Sequence, residues 1–327
     1  MNNKEVLSQL RKYQSPNDVK SLKIYLVTLL FPIVSVGVGI FAFDKYPIIS
    51  FLTMPVSFIY LCRSLIIIHD TGHNSLFSST KMNTIAGNII GFTSMMPFYF
   101  WRYIHSQHHG TLGQLDTRER NPELMTWTTK EYDEYSFINK MIYGLARSAF
   151  TQIVIVPIVL FLVTKIPISK GSWKANVAVL IHNVLYATIV YISIQYGLLT
   201  EVLLFYLLPL VLVHSYASMV FYLQHQFDGT HWMRNEDWNM YEVAVEGSSF
   251  LKFNKAFDWL TGSIGFHHIH HLNSRIPFYN LSKAHKELGP KMNFKVVYFK
   301  DFFKHTRLKL WDESKERLVP FRHQSIR

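Results

Sequence analysis

The chain has 327 residues, 49% of them hydrophobic and 17% charged, with a formal net charge of +11 and a slightly positive mean hydropathy. That balance excludes an ordinary soluble domain and points to membrane spans, which set nucleic acid aside as the partner of the basic charge. A single cysteine, Cys62, excludes a disulfide framework and any thiolate cluster within one chain.

The first 23 residues are polar and basic, and the apolar run after them is too long for the core of a cleaved signal, so no removable leader is expected. Residues 24–43 carry no charge and are long enough to cross the hydrocarbon core as a helix; 47–68 follow, interrupted only by Arg63. Residues 83–101, rich in Gly and Ser and containing Pro97, form a shorter apolar piece, and a polar insert occupies 111–140. Residues 148–164 are uncharged but carry Pro157 near the middle, between Arg147 and Lys165. Proline removes an interior helical hydrogen bond, and positive charge on both flanks argues against a crossing. Both shorter pieces therefore read as re-entrant or interfacial helices. Between 175 and 226 the only charge is Glu201, which predicts two more spans at about 175–197 and 201–224; a second polar insert, 228–262, is rich in Trp and acidic residues.

Charge sets the orientation. Arg11, Lys12, Lys20 and Lys23 precede the first span, only Asp44 and Lys45 separate the first two, and residues 291–327 hold ten Lys/Arg against four Asp/Glu. Both termini are thus expected in the cytoplasm, which requires an even number of crossings. The expected architecture is one domain, 1–327: an all-α integral membrane protein, a four-transmembrane-helix bundle with re-entrant or interfacial helices and a cytoplasmic histidine-bearing cap.

Sixteen histidines are unevenly spread. His69 and His73 in "HDTGH" lie just past the second span at i, i+4, which puts both rings on one helical face. His105, His108 and His109 in "HSQHH" and His267, His270 and His271 in "HHIHH" share an i, i+3, i+4 spacing. His225 ends the fourth span. Taken singly, each cluster would serve as a solvated helix face. Three clusters brought to one membrane edge by an independent charge argument point to metal.

Imidazole suits Zn, Cu, Fe and Ni. Eight or nine histidines exceed the capacity of one ion, since zinc takes four ligands at most and three in catalytic sites, so two metals are the simplest count. No His-Glu-x-x-His or Glu-x-x-His occurs, which removes the carboxylate-rich di-iron plan of soluble bundles. An all-imidazole pair of irons fits best, with Asp70 orienting a ligand ring from behind.

"HDTGHNSLF", "PFYFWRYIHSQHH", "FYLQHQFD", "AVEGSSF", "WLTGSIGFHHIHHLNSRIPFYNL" and the closing "LWDESKERLVPFR" resemble the membrane-bound fatty acid desaturase superfamily, and within it bacterial acyl-lipid desaturases of the delta-5 and delta-12 type. The resemblance implies two iron ions (Fe2+/Fe3+) held by His69, His73, His105, His108, His109, His267, His270 and His271, with His225 as the additional ligand. It further implies O2 as oxidant, membrane phospholipid acyl chains as substrate, and a cis double bond as product. The haem motif of fused cytochrome b5 variants is absent, so two electrons would come from a separate ferredoxin or flavodoxin-type donor, in an integral plasma membrane protein with its histidines on the cytoplasmic side. A hydroxylase, carotenoid ketolase or acyl acetylenase would use the same metals. A non-catalytic histidine-rich transporter or sensor is the reading from another class, but its polar ligands would line the bilayer midplane rather than one edge.

The remaining histidines are expected to be structural. His182 and His214 lie mid-span, where neutral imidazole can hydrogen-bond between helices. His268 is expected behind the ligands or in solvent, and His231, His285, His305 and His323 on the surface. Glu246, Ser248 and Ser249 either brace the site or cap a turn. Trp101, Arg102 and Trp259 either line an acyl channel or belong to the interfacial aromatic belt, the belt being favoured.

Overall fold

The computed structural model describes residues 3–120, 125–167 and 172–321. Among these, four helices are long and apolar enough to cross a membrane: Asp18–Ala42, Pro47–Gly72, Trp173–Gln195 and Leu199–His225. They are called the first to fourth spans below. The first begins six residues ahead of the apolar run because Asn17 caps it, accepting the Lys20 N–H. The second does not stop with its apolar residues but continues through the first histidine cluster. It ends where Asn74 takes a left-handed φ of 55° and the Ser75 N–H returns to the Asp70 carbonyl, a conformation that asparagine tolerates better than most residues.

The first two spans pack antiparallel along a seam of small residues. Ser21, Thr28, Ser35 and Gly39 are buried on one, and Ser50, Thr53 and Ser57 on the other. Ser35 and Ser57 share a 2.8 Å hydroxyl contact, and Ser21 Oγ donates to the Leu76 carbonyl at 2.5 Å. Lipid tails are as apolar as leucine, so close backbone approach and interhelical hydrogen bonds, rather than hydrophobicity, drive such pairing. Large apolar residues such as Phe31, Val34, Phe41 and Leu52 face outward instead.

The piece expected over 83–101 is two helices, Thr80–Thr93 and Phe98–Thr111. The break falls at Met95, whose φ is 53°, just ahead of Pro97, which restricts the preceding residue to extended conformations. Gly87 lets Phe98 fold back onto the first helix, where a Cβ would meet the ring at 2.4 Å. The second helix therefore runs straight into the "HSQHH" cluster.

Residues 137–163 form a bent pair, Phe137–Ala146 and Thr151–Val163, turned by 64°. Phe137, Ile138, Met141, Ile142 and Leu145 are all exposed along the first member, the pattern of a helix lying in the interface. The bend excludes a single straight helix here and makes the pair either a re-entrant loop or a broken span. Two π-helical turns, Thr151–Ile155 and Leu203–Leu207, each end two residues before a buried proline, Pro157 and Pro209. Widening the turn relieves the clash between the proline ring and the carbonyl four residues back.

Strands, which sequence reasoning missed, occur as two minimal sheets. Phe250–Leu251 pairs in parallel with Val296–Val297, and Leu310–Asp312 forms a hairpin with Arg317–Val319. The hairpin sets Trp311 into a cluster with Leu112, Leu115 and Trp232, tying the C-terminal segment to the end of the "HSQHH" helix.

Candidate metal centre

All nine histidines singled out from the sequence come together, in two groups. His69, His73, His105, His109 and His270 form one, and His108, His225, His267 and His271 the other; within each group the ligand-capable atoms lie within 4.8 Å of one another. Helix geometry explains the division. At about 100° per residue, positions i and i+4 stand about 40° apart, whereas i+3 is turned about 100° from i+4. His105 and His109 thus serve one group while His108 faces the other. On the short helix His267–Leu272 the arrangement reverses: His267 and His271 serve the second group and His270 crosses to the first. The second span supplies His69 and His73 to the first group, and His225, the last residue of the fourth span, completes the second.

The Nε2 atoms converge. His109 Nε2 lies 3.1 Å from that of His105 and 3.0 Å from that of His270. His267 Nε2 lies 2.9 Å from that of His225 and 3.0 Å from that of His271, which is 3.3 Å from that of His108. Nε2 of His69 and of His73 are buried with no hydrogen-bond partner. A neutral imidazole offers one donor and one acceptor, so an array of facing Nε2 atoms cannot satisfy itself by hydrogen bonding. A cation shared by each group would satisfy all of them, and the donor set, neutral nitrogen without thiolate, suits a borderline transition metal.

Other groups hold the rings from behind. Asp70 Oδ1 is 3.2 Å from His69 Nδ1, and its Oδ2 accepts the Phe278 N–H at 2.7 Å. His225 Nδ1 faces the Gly247 carbonyl at 3.3 Å. Such partners fix the tautomer with Nδ1–H outward and leave the Nε2 lone pair free. Trp101 stacks on His105, with centroids 4.3 Å apart at 21°. It does so because Gly72 leaves room; a Cβ there would meet the indole at 2.4 Å.

Burial, reinforced by the neighbouring imidazoles, pushes His73, His105, His109, His267, His270 and His271 well below the ordinary imidazole pKa. They are neutral at pH 7, the state in which imidazole ligates. His73, His105 and His109 keep partial exposure, whereas the second group has almost none.

Several subsidiary expectations change. Trp101 packs against His69 and His105 and forms part of the wall of the site. His268 is not solvated: it is fully buried, its Nε2 lies 3.1 Å from His285 Nδ1, and it stacks on Phe294. His285 is accordingly a half-buried partner rather than a plain surface residue. His305 is buried and its Nδ1 accepts the Asp228 N–H at 3.2 Å. His231 is half-buried against Trp311, and His323 lies outside the described residues. His214 Nδ1 lies 2.8 Å from the Leu210 carbonyl of its own helix rather than reaching another helix. His182 packs against Phe92 and Tyr186. Trp259 is 58% exposed beneath the Arg63 guanidinium, and Arg102 is half-buried.

Glu246 accepts from Asn293, while Ser249 bonds the Leu223 and Gln224 carbonyls at the end of the fourth span. Between them the Gly247 carbonyl is presented to His225. The residue that touches the site is thus the glycine, which sequence reasoning passed over because a backbone carbonyl carries no side-chain signal.

A family described as fatty acid desaturase matches residues 46–303. A protein of Bacillus subtilis named "Fatty acid desaturase" is 32% identical over 326 residues, covering 98% of this chain and 91% of its own length. The "sn-1 acyl-lipid omega-3 desaturase (ferredoxin)" of a Synechocystis species is 26% identical over 68% of this chain and 62% of its own. The "sn-1 oleoyl-lipid 12-desaturase" of Arthrospira platensis is 24% identical over 78% and 73%.

Proposed function

The chain belongs to the fatty acid desaturase family, and on that premise we propose that it is an acyl-lipid desaturase that introduces a cis double bond into a membrane fatty-acyl chain. The net reaction consumes one O2, two electrons and two protons, converts a –CH2–CH2– pair into –CH=CH–, and releases two waters. The electrons come from a separate ferredoxin or flavodoxin-type donor, a reading supported by relatives whose names include ferredoxin. The observation that carries the proposal is the convergence of nine histidines into two nitrogen-only groups.

The two groups would each hold one iron, His69, His73, His105, His109 and His270 on one side and His108, His225, His267 and His271 on the other. Bound there, the irons would supply O2 activation and the oxidising power for unactivated methylenes, which no side chain possesses. The chain's own residues do the rest. Asp70 and the Gly247 carbonyl keep the imidazoles turned so that Nε2 points inward. Trp101 and Phe221, packed on His105 and His108, cover the site with apolar surface and exclude water. The protein sits in the plasma membrane with its histidines and both termini on the cytoplasmic side, in accord with the basic flanks of its spans.

The test is the fatty-acid profile of a desaturase-free host with and without this gene, by gas chromatography and mass spectrometry with double-bond location. New unsaturated species two hydrogens lighter than their parents are expected. Products heavier by one oxygen would replace the desaturase by a hydroxylase. If the profile does not change even with a co-expressed ferredoxin, the proposal fails.

A further inference from the structure

A cavity of about 1040 Å³ opens where the start of the first span, the Arg63 turn of the second, and the helices Lys255–Leu260 and Phe278–Leu288 meet. Lys20, Lys23, Arg63, Lys255 and Lys286 line it, against a single carboxylate, Asp258. None of the five cations is in an ion pair among the described residues. The rest of the wall is largely apolar, with Ile24, Trp259, Phe266 and Phe278. Unpaired cations over an aromatic floor, at the edge of a bilayer, form a receptor for an anion with an apolar body.

Arg63 sharpens this. It lies within the second span and is only 7% exposed. It donates to the Trp259 carbonyl and packs 4.7 Å over the same ring. An ionised side chain inside a span is costly and is retained for a partner or a function. Here one carbonyl accepts from the guanidinium and two rings, Trp259 and Phe278, face it, which engages only part of its five donors. The cavity also shares its framework with the histidine centre. Arg63 precedes His69 by six residues on one helix, about 9 Å along the axis. Phe266 adjoins His267, and Phe278 is the residue whose N–H holds Asp70.

We propose that this cavity binds the phosphate-bearing headgroup of the membrane glycerophospholipid whose acyl chain is oxidised, Arg63 and the lysines neutralising the phosphate while Trp259, Phe266 and Phe278 cover the glycerol and first methylenes. This rests on the desaturase reading of the histidines. The apolar floor favours a lipid over free phosphate. The depth of Arg63 favours it over an acyl carrier protein, whose phosphate arrives from water and needs no cation set into a span. Basic pockets between spans are the usual seats of anionic lipid headgroups.

The purified metal-loaded protein in non-ionic detergent is titrated by calorimetry with dihexanoyl phosphatidylglycerol, dihexanoylglycerol, inorganic phosphate and an acylated acyl carrier protein. The phospholipid is expected to bind at least about tenfold more tightly than the phosphate-free glyceride, since charge-assisted hydrogen bonds are at stake. A Lys255→Gln/Lys286→Gln variant, altered only at exposed positions, should lose about tenfold in that affinity with its iron content unchanged. Arg63→Gln should act in the same direction, and the lysine pair keeps the test valid if that variant does not fold. Equal affinity for the glyceride, equal affinity for inorganic phosphate, saturable binding of the carrier protein alone, or an unaltered lysine variant would each overturn the proposal. His270→Ala, expected to be inactive, should retain the phospholipid affinity. Lysine-dependent lipid binding in a protein that makes no new double bond would sink the desaturase reading and leave this site standing; the converse result would do the opposite.

Discussion

Asp70 grips His69 from behind: one carboxylate oxygen lies 3.2 Å from Nδ1, and the other is fixed by the Phe278 N–H at 2.7 Å. The carboxylate therefore links the end of the second span to a helix more than 200 residues later in the chain. Asp70→Asn keeps the shape and the Phe278 contact but removes the charge that orients the ring. Iron retention should fall by about 10–100-fold, read by metal analysis after dialysis against graded chelator, with double-bond formation falling in step. Unchanged retention would remove Asp70 as the group that orients His69.

The division of the histidines predicts separable metal losses. His73→Ala should empty the first group and His267→Ala the second, each leaving about one iron per chain instead of two. Both variants should abolish product while still inserting into the membrane. Full metal content and activity in either would remove that residue from the ligand set.

Gly72 tests the wall. A methyl group there would press on the Trp101 indole at 2.4 Å, and overpacking of this kind costs about 1–3 kcal/mol. Gly72→Ala should lower Tm and product yield together because it displaces the ring stacked on His105. Adding Trp101→Leu should restore Tm toward the parent without restoring the yield. If the single variant matches the parent in both, the close contact is not a constraint.

Acid should weaken the metal-free protein in a defined window. The folded-state pKa values of His73, His105, His109, His267, His270 and His271 are depressed well below 6.5 by burial and by one another. The unfolded chain therefore takes up protons first as pH falls, and stability present above about pH 6.5 is lost progressively below it. Thermal scans of chelator-treated protein should show a flat Tm from pH 8 to about 7 and a decline toward pH 5. A Tm that rises on acidification would contradict the burial of these rings as neutral groups.

Much of this was legible in the chain because membrane spans and histidine clusters are long, strongly patterned signals. The apolar runs placed all four spans, and their charged flanks, together with the i, i+4 and i, i+3, i+4 spacings, brought the nine imidazoles to one end. What escaped was carried by the backbone or by distant pairing. The Gly247 carbonyl and the Phe278 amide hold the site with groups every residue possesses. His268, expected behind the ligands or in solvent, and His285, expected on the surface, are 17 residues apart, and nothing local marks their contact. The strands over 250–251 and 296–297 are too short to show an alternating pattern.

The contact between His108 and His271 closes a loop of 163 residues, and that between His109 and His270 one of 161. During synthesis the first three spans and the "HSQHH" helix are complete long before His267–His271 leaves the ribosome, so an early-formed face of imidazoles waits for its opposite half. If the two groups hold metal as proposed, its uptake comes late in the life of the chain. Metal bound there would stitch the two ends of the domain together across a distance in sequence that no local interaction could bridge. Starvation for the metal should show first as accumulation of an inserted but loosely closed protein, open to proteases in the segment after the fourth span, rather than as failure of the spans to enter the membrane.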